Sequence, residues 1–288
     1  MGALGEKIRT YGELVAFSHS VFMLPFALAA AVIAARGVEG VWWRVVLIIT
    51  AVVGARTAAM AMNRIADRRF DAANPRTMNR PLVTGRVGVG EAWALVVGGA
   101  AVFLGAAWAL GPVCGWLALP ALGWILAYSY TKRFTSLSHL WLGVATALAP
   151  VGAWVGMRGE LGWGVVILAV AVAAWVGGFD IIYALQDTEF DRRSGLKSLP
   201  AVLGPGKAMW ISRGLHLVAA VGFIAAAGPL GLGELYRAGC WVLAGILAAE
   251  QIAVALRPHI AGKAFFTFNG LLSICFFLLV VADRIVEG

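Results

Sequence analysis

Nine long apolar stretches constrain the fold of this 288-residue chain more than any other feature. A helix needs about 17 to 25 mostly apolar residues to cross a bilayer, and runs of this length recur along the sequence. The predicted spans are 14–35, 45–66, 92–110, 113–130, 137–157, 163–186, 209–229, 236–256 and 265–282. Only 13% of the residues are charged, whereas about a quarter is typical of a soluble domain. The sequence therefore predicts an all-α polytopic membrane protein with nine transmembrane helices.

Positive charge is distributed unequally between the predicted loops. Fifteen Lys and Arg residues precede the first span or follow spans two, four, six and eight, against five on the other side. The positive-inside rule then predicts a cytoplasmic N-terminus and an external C-terminus, in a bacterial-type inner membrane. Most of the net charge of +8 is thus explained by the orientation of the chain in the lipid bilayer, and it does not indicate nucleic-acid binding. Because no linker or low-complexity segment divides the chain, residues 1–288 are expected to form a single domain.

Two acidic clusters lie at the ends of predicted spans on the cytoplasmic side. Asn63, Asp67 and Asp71 recur at every fourth position, so on a helix they share one face. The second cluster repeats a similar helical stripe, which consists of Asp180, Tyr183, Asp187 and Asp191. Carboxylates are costly near hydrocarbon, and such residues usually have a function. An Asp beside an Arg at a helix end is also typical of a solvated salt bridge, but two matched clusters favour a functional site.

The residue types in these clusters suit a magnesium-diphosphate site. Carboxylate and carboxamide oxygens are hard ligands, and Mg²⁺ usually binds one or two of them together with water and substrate phosphates. Basic residues that could bind phosphate oxygens surround both clusters: Arg68, Arg69, Arg76, Arg80, Lys132, Arg133, Arg192, Arg193 and Lys197. We therefore predict a diphosphate clamp at the membrane surface.

Other polar residues inside the spans carry weaker signals. Arg56 lies seven positions before Asn63, on the same helix face but two turns deeper, and is predicted to be functional. His19 is interpreted as a hydrogen-bonded interfacial histidine. Interhelical hydrogen bonds are expected for Glu250, Gln251 and Asn269. An aromatic belt at the membrane interface is expected for Trp42, Trp43, Trp141 and Trp163.

The two motifs resemble those of the UbiA superfamily of intramembrane prenyltransferases, and most closely those of 4-hydroxybenzoate polyprenyltransferases. The similarity rests on Asn-x-x-x-Asp-x-x-x-Asp at 63–71, Arg-Thr-x-x-Arg-Pro-Leu at 76–82 and Asp-x-x-x-Asp at 187–191, and it extends over essentially the whole chain. One departure is visible: many members have Asp directly after the Asn, where this chain has Arg64. That residue is off the helix stripe, so it is expected to alter the charge near the entrance without removing a metal ligand.

The resemblance implies a nine-helix bundle around a central cavity that opens to the cytoplasmic side. It also implies transfer of a polyprenyl group from polyprenyl diphosphate to a small aromatic acceptor, with Mg²⁺ as the cofactor, in ubiquinone or menaquinone biosynthesis. Catalytic roles fall on Asp67, Asp71, Asp187 and Asp191, and the same residues with Asn63 are the expected metal ligands. The expected substrate-binding residues are Arg56, Asn63, Arg68, Arg80, Lys132, Arg133, Tyr183 and Lys197.

Several alternatives stay open at the level of sequence. Within the fold, naphthoate-type, chlorophyll-type and haem acceptors are possible, although the second acidic motif argues against haem. The proton released from the ring could pass to Asp191 or to diphosphate. A protein of a different class, an ion-coupled transporter, would instead place its acids near the bilayer midplane, often at helices interrupted by Gly or Pro.

Overall fold

The structure is a computed structural model that describes residues 3–15 and 22–287, and every regular element in these ranges is helical. The α-helices are α1 (Ala3–Leu14), α2 (Leu24–Ala34), α3 (Val41–Ala73), α4 (Val89–Leu110), α5 (Pro112–Thr131), α6 (Ser138–Arg158), α7 (Trp163–Ala184), α8 (Thr188–Arg193), α9 (Leu199–Leu203), α10 (Pro205–Ala226), α11 (Glu234–Leu256) and α12 (Ala261–Glu287). Short 3₁₀ turns at Leu185–Asp187 and Pro258–Ile260 precede α8 and α12.

The all-α membrane architecture is confirmed, with one difference in the first span. Within the described residues, eight helical segments are long and apolar enough to cross a bilayer, and they correspond to predicted spans two to nine. The first predicted span, 14–35, is represented by the end of α1 and by α2, which has only 11 residues. Hydropathy alone did not predict where α2 begins. The helix begins at Leu24, one residue before Pro25, and a Pro is suited to a first helical turn.

Small residues let neighbouring helices approach each other closely. A Cβ atom added at Gly54 of α3 would lie 2.8 Å from the carbonyl oxygen of Gly99 in α4, and one added at Gly99 would lie 2.7 Å from that of Gly54. Larger side chains at either position would therefore force the two helices apart. Such contacts between small residues are the usual means of packing helices in lipid, where apolar side chains gain little by leaving the hydrocarbon. This contact fixes the helix that carries the first acidic motif.

An aromatic core fills the half of the bundle that contains α7, α10, α11 and α12. Phe26 of α2 stacks on Phe276 with a centroid distance of 4.4 Å and contacts Trp175 at 5.0 Å. The expected interhelical hydrogen bonds are confirmed nearby. Asn269 donates from Nδ2 to Glu250 Oε1 at 2.7 Å and accepts from the Trp175 indole N–H at 2.7 Å. Gln251 donates to Ser212 Oγ at 2.8 Å, so polar groups tie four helices together.

The predicted tryptophan belt is found in part. Trp42, Trp43 and Trp163 are 84%, 64% and 82% exposed on the bundle surface, as residues at a membrane interface would be. Trp141 differs, because its ring stacks on Trp124 with centroids 3.8 Å apart and an angle of 7°. Each of these two indoles donates to the backbone carbonyl of the other, at 2.9 and 3.2 Å. Trp141 therefore joins α6 to α5.

Candidate active site

A polar cavity of about 160 Å³ lies where the ends of α3, α5 and α7 meet the loops that follow them. Side chains from both acidic motifs line this one cavity, although the motifs are more than 100 residues apart in sequence. Its polar lining residues are Asn63, Asp67, Asp71, Asn74, Arg76, Thr77, Arg80, Tyr128, Ser129, Lys132, Arg133, Asp180, Tyr183, Asp187 and Asp191. The structure thus brings together all five of the predicted metal ligands.

The first motif lies on the last turns of α3, as its spacing predicts. Because α3 is one continuous helix to Ala73, Asn63, Asp67 and Asp71 follow one another along one face. Asn63 donates from Nδ2 to Asp67 Oδ2 at 3.0 Å. Arg80 contacts both carboxylate oxygens of Asp71 through Nη1, at 2.6 Å each. The loop that follows α3 therefore folds back over the motif, so that Arg80 pairs with Asp71, the last acid of the motif.

The second motif does not lie on one continuous helix, so that prediction was wrong in its local detail. The α-helix ends at Ala184, a 3₁₀ turn covers Leu185–Asp187, and α8 begins at Thr188. A 3₁₀ turn winds more tightly than an α-helix, so the 3.6-residue periodicity is interrupted between Tyr183 and Asp187. Both residues nevertheless line the cavity.

Arg76, which the sequence analysis named among the basic residues that could bind phosphate oxygens, pairs with the second motif. Its guanidinium binds Asp187 through Nε at 2.9 Å and Nη2 at 2.5 Å, and donates from Nη1 to the Tyr183 hydroxyl at 2.9 Å. Burial lowers the pKa of Arg76, but the contacts with Asp187 and Tyr183 outweigh this and raise it. Asn74 also donates to Asp187 Oδ1, at 3.1 Å, and its Oδ1 accepts from the Arg76 backbone N–H at 2.9 Å.

The Asn74 turn carries a signal that sequence reasoning could have used. Asn followed by Pro favours a turn in which the Asn side chain binds a backbone N–H two residues later. That turn is what directs Arg76 across the cavity to Asp187.

The remaining basic residues divide into two groups. Lys132 and Arg133 line the cavity, and Arg133 donates to the Ala66 carbonyl at 2.6 Å and lies 3.5 Å from Asp67 Oδ1. Arg68 and Lys197 do not line it. Arg68 is exposed on the outer face of α3, since residue 68 is one position off the Asn63–Asp67–Asp71 stripe. Lys197 is exposed beside the cavity rim, where its Nζ lies 3.5 Å from the Phe134 carbonyl oxygen.

The acidic side chains suit Mg²⁺ by their chemistry, although cationic groups pair with most of them. In the described part of the chain, no three His, Cys, Asp or Glu side chains converge in a metal-binding arrangement. Arg76 and Arg80 hold the carboxylates of Asp187 and Asp71 instead. Asp191 is 3% exposed, and its Oδ2 is buried without a hydrogen-bond partner among the described residues. A buried carboxylate oxygen of this kind fits a cation, because leaving it unpaired is costly.

Arg56 and Arg64 lie on α3 but do not line the polar cavity. Arg56 lies seven residues before Asn63, about 10 Å nearer the start of α3, and its Nη1 lies 3.5 Å from Met23 Sδ. Arg64 is 8% exposed and donates to the Leu14 carbonyl at 3.2 Å and to Asn63 Oδ1 at 3.5 Å. Arg64 thereby anchors the end of α1 on α3, and the expectation that it alters the charge near the entrance stays a prediction.

A second residue pair, which the sequence analysis did not combine, lies at the deep end of the cavity. Asp180 lines the cavity one to two turns before the Asp187 turn, and its Oδ2 lies 2.6 Å from Nδ1 of His139. His139 is completely buried at the start of α6. His19, the other histidine considered from the sequence, lies outside the described residues.

An apolar cavity of about 370 Å³ lies among α3, α4, α5 and α6. The two cavities are lined by successive turns of α5: Trp124 and Ile125 line the apolar one, whereas Tyr128 and Ser129, one turn later, line the polar one. The apolar cavity is lined mainly by Ala, Val, Leu and Ile side chains, including Ala107, Ala118 and Ala145. The structure thus has a polar cavity lined by acidic and basic side chains, and an aliphatic cavity one turn of α5 further from the end of that helix.

Comparison with known proteins identifies a consistent set of relatives. Residues 23–280 match the UbiA prenyltransferase family. A 4-hydroxybenzoate octaprenyltransferase from Aromatoleum aromaticum is 30% identical over 240 residues, which cover 80% of this chain and 78% of that protein. A protein of the same name from Vibrio campbellii is 30% identical over 269 residues, which cover 92% and 94% of the two chains.

Solved structures share the helical arrangement. The apo structure of a UbiA homologue from Aeropyrum pernix K1 matches with a TM-score of 0.79 and 35% identity, over 93% of this chain and 98% of that one. A UbiA homologue from Archaeoglobus fulgidus, solved with DMAPP and Mg²⁺ bound, matches with a TM-score of 0.74 and 20% identity, over 94% and 99%. At 20% identity the latter likeness concerns the fold alone.

Proposed function

Because the chain belongs to the UbiA prenyltransferase family, we propose that it transfers a polyprenyl group from polyprenyl diphosphate to 4-hydroxybenzoate, at the ring carbon ortho to the hydroxyl. The reaction would serve quinone biosynthesis. Relatives that cover most of the chain carry the name 4-hydroxybenzoate octaprenyltransferase. Family membership also favours an enzyme over the ion-coupled transporter that the sequence left open.

The observation that carries this proposal is the lining of the polar cavity. Carboxylates from two distant motifs and four cationic side chains, Arg76, Arg80, Lys132 and Arg133, face one small chamber. Acidic groups alone would suit a cation, and basic groups alone would suit an anion. Their combination suits a metal-bound diphosphate, in which the metal binds the carboxylates and the phosphate oxygens bind the cations.

Asn63, Asp67, Asp71, Asp187 and Asp191 are the residues that would hold Mg²⁺. All five offer oxygen donors, as this hard cation requires. Magnesium, when bound, would neutralise the negative charge that develops on the departing diphosphate. Because Arg76 and Arg80 bind Asp187 and Asp71, we expect both guanidinium groups to shift towards phosphate oxygens when metal and substrate enter.

The prenyl chain would occupy the apolar cavity. It begins one helical turn below the polar cavity on α5, so a molecule with a charged head and a hydrocarbon tail could fill both. Along α5 its lining extends from Ile125 to Cys114, which is about 16 Å of helix. Burying a hydrocarbon chain there would contribute roughly 0.8 kcal/mol per CH₂ group.

The acceptor would bind deeper than the diphosphate, between Arg56 and Asp180. Arg56 lies seven residues before Asn63, and Asp180 lies seven residues before Asp187. Each is therefore about 10 Å deeper in the membrane than the motif residue that follows it. The Arg56 guanidinium matches the carboxylate of 4-hydroxybenzoate in charge and geometry. Asp180 has one carboxylate oxygen on His139 and lines the cavity, so it is placed to accept a hydrogen bond from the acceptor hydroxyl.

The reaction then requires bond changes at one allylic carbon. The bond from this carbon to the diphosphate oxygen breaks, and the electron pair leaves with diphosphate, which the four cationic side chains of the cavity stabilise. An electron pair of the ring forms the new carbon–carbon bond. Loss of the ring proton, to Asp191 or to diphosphate, restores aromaticity.

The orientation in the membrane is part of the proposal. Family membership and the eight apolar helical segments found among the described residues identify an integral membrane protein. The positive-inside rule would place the polar cavity and the N-terminus on the cytoplasmic side of a bacterial inner membrane, with the C-terminus outside. A single domain over residues 1–288 is consistent with the family match to 23–280.

A comparison of acceptors tests the proposal. Purified protein in lipid nanodiscs would receive geranyl diphosphate, Mg²⁺ and either 4-hydroxybenzoate or 1,4-dihydroxy-2-naphthoate, with products resolved by chromatography and mass spectrometry. We expect a ring-prenylated 4-hydroxybenzoate and little naphthoate product. Preference for the naphthoate would reassign the acceptor, and no product from either would overturn the proposal.

A further inference from the structure

His139 uses both of its ring nitrogens, and each contact leads to a different part of the site. Nδ1 lies 2.6 Å from Asp180 Oδ2 on α7, and Nε2 lies 3.2 Å from the backbone nitrogen of Leu199, the first residue of α9. The imidazole is 0% exposed, so no water competes for these contacts. One buried side chain thus connects Asp180 to the segment that follows α8.

The Leu199 contact determines which nitrogen carries the proton. A backbone N–H can only donate, so Nε2 must be the acceptor and cannot itself bear a hydrogen. In neutral imidazole the proton is then on Nδ1, which donates it to Asp180 Oδ2. This arrangement fixes one oxygen of Asp180 and leaves the other available to the polar cavity.

The segment 194–199 closes one side of that cavity. Leu196 lines it, and the backbone N–H of Lys197 donates to the Lys132 carbonyl at 2.7 Å. Two backbone donors, at Lys197 and Leu199, therefore attach the segment to the end of α5 and to His139. Lys132 is itself a cavity residue, so this attachment borders the proposed diphosphate site.

We propose that His139 is a positioning residue that couples docking of the 194–199 segment to the orientation of Asp180 towards the acceptor. When the segment is docked, the Leu199 N–H holds the tautomer that donates to Asp180. When the segment is released, the imidazole loses that partner, and Asp180 loses its fixed orientation. This inference rests on the proposed function for the role of Asp180, whereas the docking step does not depend on the acceptor.

Substitution at His139 separates positioning from packing. His139→Leu removes both contacts, whereas His139→Gln offers one N–H donor and one carbonyl acceptor on a side chain of similar reach. His216→Leu is the matched control, because His216 is also buried, at 4% exposure, but lies on α10 and pairs with Gln251 of α11. All three variants remove a buried imidazole, but only the His139 variants affect the Asp180 contact.

The first measurement is hydrogen exchange of the backbone in residues 194–203, followed by mass spectrometry in nanodiscs. We expect His139→Leu to exchange faster there than the wild type, and His139→Gln and His216→Leu to match the wild type. Unchanged exchange in His139→Leu would overturn the inference, whichever acceptor the enzyme uses.

The second measurement is the steady-state kinetics of prenyl transfer. We expect His139→Leu to lower kcat/KM for 4-hydroxybenzoate at least about tenfold, with KM for geranyl diphosphate within about twofold of the wild type. His139→Gln should recover most of this loss.

In the double variant with Asp180→Asn, His139→Leu should cause no further loss, because it acts through Asp180. Multiplying losses would contradict the coupling, whereas an inactive wild type would overturn the proposed function instead.

Discussion

Arg76 and Asp187 join the two acidic motifs through a pair of parallel hydrogen bonds, from Nε to Oδ1 at 2.9 Å and from Nη2 to Oδ2 at 2.5 Å. Arg76 belongs to the loop after α3, and Asp187 to the turn between α7 and α8. Both residues line the polar cavity, so their contact crosses it. The same guanidinium also contacts the Tyr183 hydroxyl, so its position is fixed from two sides.

The shape of Arg76, as well as its charge, should therefore matter. Arg76→Lys keeps the charge but loses the planar fork, and we expect kcat/KM for the prenyl diphosphate to fall about ten- to hundredfold, or roughly 1.5–3 kcal/mol. Arg68→Lys is the control, since Arg68 is exposed outside the cavity. Equal effects of the two substitutions would show that Arg76 has no special contact with the substrate.

Arg56 tests the identity of the acceptor. It is too deep on α3 to serve mainly the diphosphate, and Arg56→Ala should raise KM for 4-hydroxybenzoate about ten- to hundredfold while KM for geranyl diphosphate stays nearly constant. Arg56→Lys should recover only part of the loss, because a point charge cannot bind a carboxylate bidentately. Arg44→Ala, on the same helix, should chiefly lower stability, since Arg44 binds the Gly156 carbonyl at 2.6 Å. Loss of diphosphate use in Arg56→Ala would assign Arg56 to the clamp.

The apolar cavity should determine which prenyl lengths are used. Ala118 lines this cavity and is 4% exposed, so Ala118→Phe would fill part of the space proposed for the chain. We expect its kcat/KM for farnesyl and longer diphosphates to fall at least about tenfold relative to that for dimethylallyl diphosphate. Ala109→Phe, at an exposed position of α4, should leave the ratio unchanged. The same loss for all chain lengths would place the prenyl chain elsewhere.

Much of the fold and part of the site could be predicted from sequence for a physical reason. Where a helix is long and regular, spacing alone determines which residues share a face, as for Asn63, Asp67 and Asp71 on α3. Eight spans were predicted for the same kind of reason, since lipid requires long apolar helices. The first predicted span is tested only in part, because residues 16–21 lie outside the described residues and α2 covers only its second half.

The rest of the site depends on contacts that have no local signature. The 3₁₀ turn at Leu185–Asp187 interrupts a periodicity that the sequence continues. His139 and Asp180 are 41 residues apart and meet only because α6 packs on α7. Arg80, which was predicted to bind phosphate, pairs with Asp71 in the structure, a contact that composition alone does not predict. Its role towards the substrate stays a prediction.

Magnesium-dependent turnover by wild type and Asp187→Asn tests the central claim most directly. Purified protein with geranyl diphosphate and 4-hydroxybenzoate should form prenylated product and diphosphate in equal amounts with Mg²⁺, and neither with EDTA. Asp187→Asn should lower kcat at least about a hundredfold, because a metal ligand is lost. Thermal unfolding in nanodiscs should show a folded protein that is less stable than the wild type, because the ion pair with Arg76 is lost as well. Undiminished turnover by a folded Asp187→Asn protein, or full activity of the wild type in EDTA, would contradict the account of this cavity as a metal-diphosphate active site.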